Sequence, residues 1–251
     1  MRRNTVWLAL AALVALTAAG LAGYAGGDPP APAPPTAAAA ELRAPAQGPI
    51  PTAIVLTDGA TMIDFAGPWE VFQDVMVPER GGPMENQHPF RLYTVGASRE
   101  PVRTSGGMTV IPDYTFADAP TPLLVVVGAQ RGADGLTDWL KKAHADGAVV
   151  MSVCTGAFKL AATGLLDGRP ATTHHDFYEP FRERFPKVEL VESTRFVHSG
   201  ERLYTAGGLT SGIDLALHVT ELYFGREVAE RTATYMEYQG DGWRQEAVAA
   251  K

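Results

Sequence analysis

Residues 148–162 read AVVMSVCTGAFKLAA, and this stretch decides the fold. A fully apolar run, Ala148–Val153, has the composition of a strand buried on both faces. It stops at Cys154, and a helical pattern, Thr155–Thr163, begins at once with no loop between them. Gly156 permits the tight turn. Such a strand–nucleophile–helix elbow presents one side chain at the carboxyl edge of a sheet, with Ser152 standing where the first glycine of a G-x-S-x-G pattern would sit.

Working outward, further short apolar runs alternate with helical patterns. Ala53–Thr57 (AIVLT), Phe90–Val95 (FRLYTV) and Leu123–Val127 (LLVVV) read as strands. Gly67–Met76, with Pro68 suited to a first turn, and the amphipathic Gly135–Asp146 read as helices. After Ala171–Thr173 come a helical stretch, His175–Phe185, and strand-like pieces at Val188–Val191, Arg195–His198 and Arg202–Thr205. Thr210–Phe224 is expected to be the final long helix. This alternation predicts an α/β domain whose parallel sheet is covered by helices on both faces. Ligands of such sheets bind beyond the carboxyl ends of the strands. A chain of 251 residues, 46% hydrophobic, is long enough for one sizeable core.

The net charge of −7 excludes a basic field for nucleic acid. One cysteine is present, so no intramolecular disulfide forms. At the start of a helix its sulfur faces unsatisfied N–H groups and a positive dipole end, which predicts an acidic, thiolate-prone Cys154.

The first 26 residues read as a targeting segment. Arg2 and Arg3 form a positive head, Val6–Leu16 is uninterruptedly apolar, and small residues follow. Both a cleaved signal peptide and an uncleaved membrane anchor fit this pattern. A lipoprotein does not, because the segment has no cysteine. Residues 27–50 (GDPPAPAPPTAAAAELRAPAQGPI) are a Pro/Ala tether expected to stay extended and flexible. The folded domain is expected over 51–251, in an exported protein that is periplasmic, secreted or membrane-anchored.

Three separated motifs carry a resemblance. They are Ser-Val-Cys154-Thr-Gly-Ala-Phe with the following Ala-Ala-Thr-Gly-Leu-Leu-Asp-Gly-Arg-Pro-Ala-Thr-Thr-His174; Asp58-Gly-Ala-Thr-Met-Ile-Asp64-Phe-Ala-Gly-Pro-Trp-Glu70; and Ala206-Gly-Gly-Leu-Thr-Ser-Gly-Ile-Asp214-Leu-Ala-Leu-His. In this order, between about Ala53 and Gln239, the chain resembles the DJ-1/PfpI superfamily. It is most similar to the branch of isonitrile hydratases and the ligand-binding halves of AraC-type regulators. The resemblance implies a flavodoxin-like sandwich and a homodimer. No cofactor is expected, and no metal either, because the histidines and aspartate at 174–176 have no second ligand cluster in the sequence.

It also implies roles. Cys154 would be the nucleophile and Asp64 its acidic partner, either protonated beside a thiolate or ionised beside a neutral thiol. Thr155 matches the threonine that follows the cysteine in the hydratases, where peptidase-like members carry histidine. Gly128 and Ala129 would offer backbone N–H groups, with that of Thr155, to an oxyanion. Ala129 stands where Gly-Gly is commoner. His174 matches a histidine near the cysteine, and Glu70 is expected to anchor the helix after Asp64 or a dimer contact. The implied activity is hydration of a small-molecule isonitrile to an N-substituted formamide. The alternatives are a glyoxalase- or amidase-like enzyme, and a non-catalytic ligand-binding or thiol-sensing domain. The chain after Phe224 is too short for the DNA-binding half of an AraC-type regulator.

Overall fold

A computed structural model describes residues 42–245 together with the backbone at 248 and 249. The expected leader, 1–26, and residues 27–41 of the tether lie outside the described residues. Among the described residues, no helix is long and apolar enough to cross a membrane.

The chain alternates as its apolar periodicity requires. The principal elements are β1 (Ile50–Val55), α1 (Met62–Asp74), β2 (Phe90–Gly96), β3 (Tyr114–Thr115), β4 (Leu124–Val127), α2 (Leu136–Ala145), β5 (Val149–Val153), α3 (Gly156–Ala161), α4 (Tyr178–Arg184), β6 (Phe196–Gly200), β7 (Leu203–Ala206), α5 (Ser211–Phe224), α6 (Arg226–Tyr235) and β8 (Val248–Ala249). Eight strands form one sheet in the order β8-β6-β7-β5-β4-β1-β2-β3. Every pair is parallel except the β6–β7 hairpin. Two small ladders stand apart, Val102–Arg103 with Thr109–Val110 and Pro170–Ala171 with Glu189–Leu190.

The central strands are buried on both faces, which is why they read as continuous apolar runs. On one face Ile54, Val126 and Met151 meet Val71 and Phe72 of α1, Leu215 of α5 and Val228 of α6. On the other, Val125, Val127 and Val150 meet Leu140 of α2, Leu160 of α3 and Phe181 of α4. Each fully buried side chain of this kind contributes roughly 1.5–3 kcal/mol. The two layers fix the carboxyl ends of β1, β4, β5 and β7 side by side.

Several expectations are corrected. Helix α1 starts at Met62, five residues before Gly67, and Pro68 lies inside it. The proline is tolerated there because α1 packs on α5: a Cβ at Gly67 would lie 2.9 Å from Ile213, and one at Gly212 would lie 3.4 Å from Pro68. Tertiary contact overrides the local preference. Helix α3 is only six residues long, shorter than Thr155–Thr163. The stretch 175–185 divides into a 3₁₀ turn, His175–Phe177, and α4. A further helix, α6, follows α5 after a break at Gly225, whose φ is 86°. The end of the tether is fixed, not flexible. Leu42 N–H donates to Leu222 O at 3.0 Å, Arg80 donates to the carbonyls of Pro45 (3.2 Å) and Gly48 (2.5 Å), and Ile50 opens β1 fully buried.

Candidate active site

Cys154 closes β5 at φ 59°, a left-handed conformation that a non-glycine residue holds only when its surroundings over-determine it. Three contacts do so. Its N–H donates to the carbonyls of Gly207 (2.8 Å) and Ala206 (3.2 Å) at the end of β7. Its own carbonyl accepts the Thr173 hydroxyl at 3.0 Å. Behind it, a Cβ at Gly156 would lie 2.1 Å from the Val127 carbonyl, so only glycine lets α3 leave the elbow so close to β4.

Asp64 arrives from the first turn of α1 and is completely buried. Its Oδ2 accepts the Ala129 N–H at 2.9 Å, while among the described residues Oδ1 has no hydrogen-bond partner. The thiol of Cys154 lies close enough to this carboxyl for each group to shift the other's ionisation. A Cβ at Gly128 would lie 2.7 Å from the Cβ of Asp64, so glycine at the end of β4 makes room for the carboxyl. Asp64 therefore ties α1 to β4 and to the elbow, and its side chain caps nothing in its own helix.

Burial dominates the electrostatics. It raises the Asp64 carboxyl to about 6, although the Ala129 N–H and the Cys154 thiol both pull it down. Burial, and next the Asp64 carboxylate, push the Cys154 thiol well above a free thiol; the N–H groups of Thr155 and Leu209 pull it the other way. The expected acidic thiol is thus reversed. The short α3 and two backbone donors do not outweigh desolvation and an adjacent anion. Of the two proton arrangements, burial of the thiol and the adjacent Asp64 carboxylate favour the neutral thiol.

Other expected residues separate. Ala129 N–H is committed to Asp64, so it is not free for an oxyanion. The Thr155 N–H faces the sulfur, and its hydroxyl caps nothing. His174 lies over the turn at Gly208, where a Cβ would approach its ring to 2.2 Å, and its Nδ1 accepts the Asp176 N–H at 3.2 Å. Against the expectation of no metal stands one group: His174, His175 and Asp176 offer ligand atoms within 4.8 Å of one another. These are three consecutive residues, two of them exposed, and among the described residues no other element adds a ligand. Glu70 is exposed on α1.

A cavity of about 530 Å³ adjoins the elbow, lined among others by Thr173, Gly207 and Leu209, each of which contacts Cys154. His174, Tyr178 and Arg195 line it as well. Thr173, Leu209 and Arg195 were not singled out from sequence. Thr173 sits inside the quoted motif beside His174, but nothing in a sequence marks the left-handed φ of 53° that turns the Leu209 N–H to the sulfur.

The profile of the DJ-1/PfpI family matches residues 52–222. An isonitrile hydratase from Pseudomonas putida is 30% identical over 183 residues, covering 70% of this chain and 73% of that protein. The HTH-type transcriptional regulator CdhR of Pseudomonas aeruginosa is 32% identical over 145 residues, covering 56% of this chain and 43% of the regulator. This chain thus matches less than half of the regulator's length. Among solved structures, a THiJ/PfpI family protein from Pseudomonas syringae superposes with a TM-score of 0.62 at 25% identity, covering 84% of each chain.

Proposed function

The chain belongs to the DJ-1/PfpI family, and from that premise we propose that it is a cysteine-dependent enzyme that hydrates an isonitrile to an N-substituted formamide. The observation that carries this reading is the buried Asp64–Cys154 pair with the Leu209 and Thr155 N–H groups facing the sulfur. Similarity to an isonitrile hydratase supports it.

The carboxylate of Asp64 takes the thiol proton as sulfur attacks the terminal carbon of R–N≡C. The same proton is then delivered to that carbon, leaving a thioimidate, R–N=CH–S–Cys154. A carboxyl held near 6 is suited to both directions of transfer near neutrality. Water adds to the thioimidate carbon and gives one proton to nitrogen through Asp64. The C–S bond then breaks, the sulfur recovers the remaining proton, and R–NH–CHO leaves. The Thr155 and Leu209 N–H groups stabilise negative charge on sulfur during both bond changes, and the Thr155 hydroxyl orients the water.

The protein acts as a homodimer outside the cytoplasm, free or held by an uncleaved leader, with no cofactor and no nucleic-acid partner; the charge, the leader pattern and the resemblance support this. The purified full chain is incubated with small isonitriles and, separately, with methylglyoxal, and products are followed by NMR. Formamide from wild type and none from Cys154→Ala is expected. Product from methylglyoxal alone would transfer the reaction to reactive carbonyls. No product from either would favour a second reading, a ligand-binding domain, which the similarity to the regulator supports.

A further inference from the structure

We propose that Arg195 is a positioning residue for Cys154, acting through the turn 207–210. Arg195 lies just before β6 and lines the 530 Å³ cavity. It grips that turn at both ends. Its carbonyl accepts the Gly207 N–H at 2.9 Å, and its Nη2 donates to the Thr210 hydroxyl at 3.1 Å. Its guanidinium is in turn fixed by the buried Asp214 of α5, with Nε 2.6 Å and Nη2 2.5 Å from Oδ2. Tyr238 donates to the other oxygen of Asp214 at 3.0 Å, and the backbone at Gly242 crowds the same carboxylate, where a Cβ would lie 2.5 Å from Oδ2. A paired charge of this kind is rigid because neither partner has a better place to go.

The turn it holds makes two contacts with the cysteine. Gly207 O accepts the Cys154 N–H at 2.8 Å and helps keep the elbow in its left-handed conformation. Leu209, itself at φ 53°, directs its N–H to the sulfur. A left-handed leucine relaxes when its restraints are removed. Arg195 never reaches the sulfur. It holds Gly207 through its own carbonyl, and Leu209 through the neighbouring Thr210.

The inference rests on reading Cys154 as the reacting atom, yet its test needs no substrate. Cys154 is the sole cysteine, so iodoacetamide reports on it alone. Alkylation rates are measured from pH 7 to 9.5 for wild type, Arg195→Met, Arg195→Lys and Thr210→Val, with melting temperature as the fold control. Loss of a hydrogen bond to a developing thiolate predicts a rate about tenfold lower at each pH in Arg195→Met. Thr210→Val, which removes only one bond, should fall by about threefold, and Arg195→Lys should recover part of the loss. Mere loosening of the structure would expose Cys154 and raise the rate, the opposite sign. A folded Arg195→Met with a wild-type or faster rate overturns the proposal. If that variant does not fold, an unchanged rate in Thr210→Val overturns it. With its thiol held above a free thiol, wild type should alkylate slowly but faster as pH rises; a rate that does not rise between pH 7 and 9.5 overturns the reading of Cys154 as nucleophile, and the positioning role with it.

Discussion

Asp64 and Cys154 face each other across the gap between α1 and β5, a buried carboxyl beside a buried thiol with one proton between them. Neither group ionises there as it would in water. Burial raises both, and each anion opposes the other.

Replacing Asp64 by Asn separates acidity from catalysis. The amide oxygen still accepts the Ala129 N–H, so the fold persists. The carboxylate charge that holds the thiol up is gone, so Cys154 becomes more acidic and alkylates faster than wild type at pH 8. Turnover nonetheless falls by about 10²–10⁴-fold, because no group remains to carry the proton. Slower alkylation together with unchanged turnover would show that Asp64 serves the fold alone.

The same carboxyl leaves a mark on stability. Its folded value of about 6 lies above the unfolded value near 3.8. Between these values the folded state binds more protons. The stabilisation is therefore full below about pH 3.8 and is lost as pH rises through about 6. It amounts to about 2–3 kcal/mol. Urea unfolding at pH 4.5 and 7.5 should show wild type losing more stability over this interval than Asp64→Asn. Equal losses in the two proteins would contradict the raised carboxyl.

Backbone strain at the elbow predicts an order among substitutions. Cys154→Ala and Cys154→Gly both abolish turnover, but glycine accepts φ 59° without penalty. Cys154→Gly should be more stable than Cys154→Ala by about 1 kcal/mol, read as a higher urea midpoint at equal slope. The reverse order would mean that the elbow is relaxed.

Gly156→Ala should cost about 2–4 kcal/mol, since its methyl would meet the Val127 carbonyl at 2.1 Å and backbone cannot swing away as a side chain can. Calorimetry checks this. A variant with a wild-type melting temperature would place the close approach of α3 to β4 in doubt.

The elbow and the central sheet are legible in the sequence because β4 and β5 are buried on both faces and carry no polar interruption. Asp64 is legible as a partner from its distance beyond the first strand and from the motif around it. The boundary of α1 is not, because Pro68 signals a helix start and only packing against Ile213 and Gly212 overrules it. Ala129 is legible as a strand-end amide, but its commitment to Asp64 depends on a contact 65 residues away in the chain. Helix α6 hides because polar Arg226–Tyr235 buries only a narrow stripe, Val228, Ala229, Thr232 and Ala233. The reversal of the thiol's acidity is invisible for a related reason. Motifs display the donors at the helix start, whereas desolvation belongs to the assembled molecule.

The grip of Arg80 on Pro45 and Gly48, with the bond from Leu42 to Leu222, has a mechanical meaning. Residues 42–49 lead directly into β1, which lies in the middle of the sheet, between β4 and β2. A pull on the amino-terminal side of the domain loads those three hydrogen bonds before it loads the strand. They act as a sacrificial clasp, releasing a short length of chain while the strand carrying the Asp64 loop stays in register.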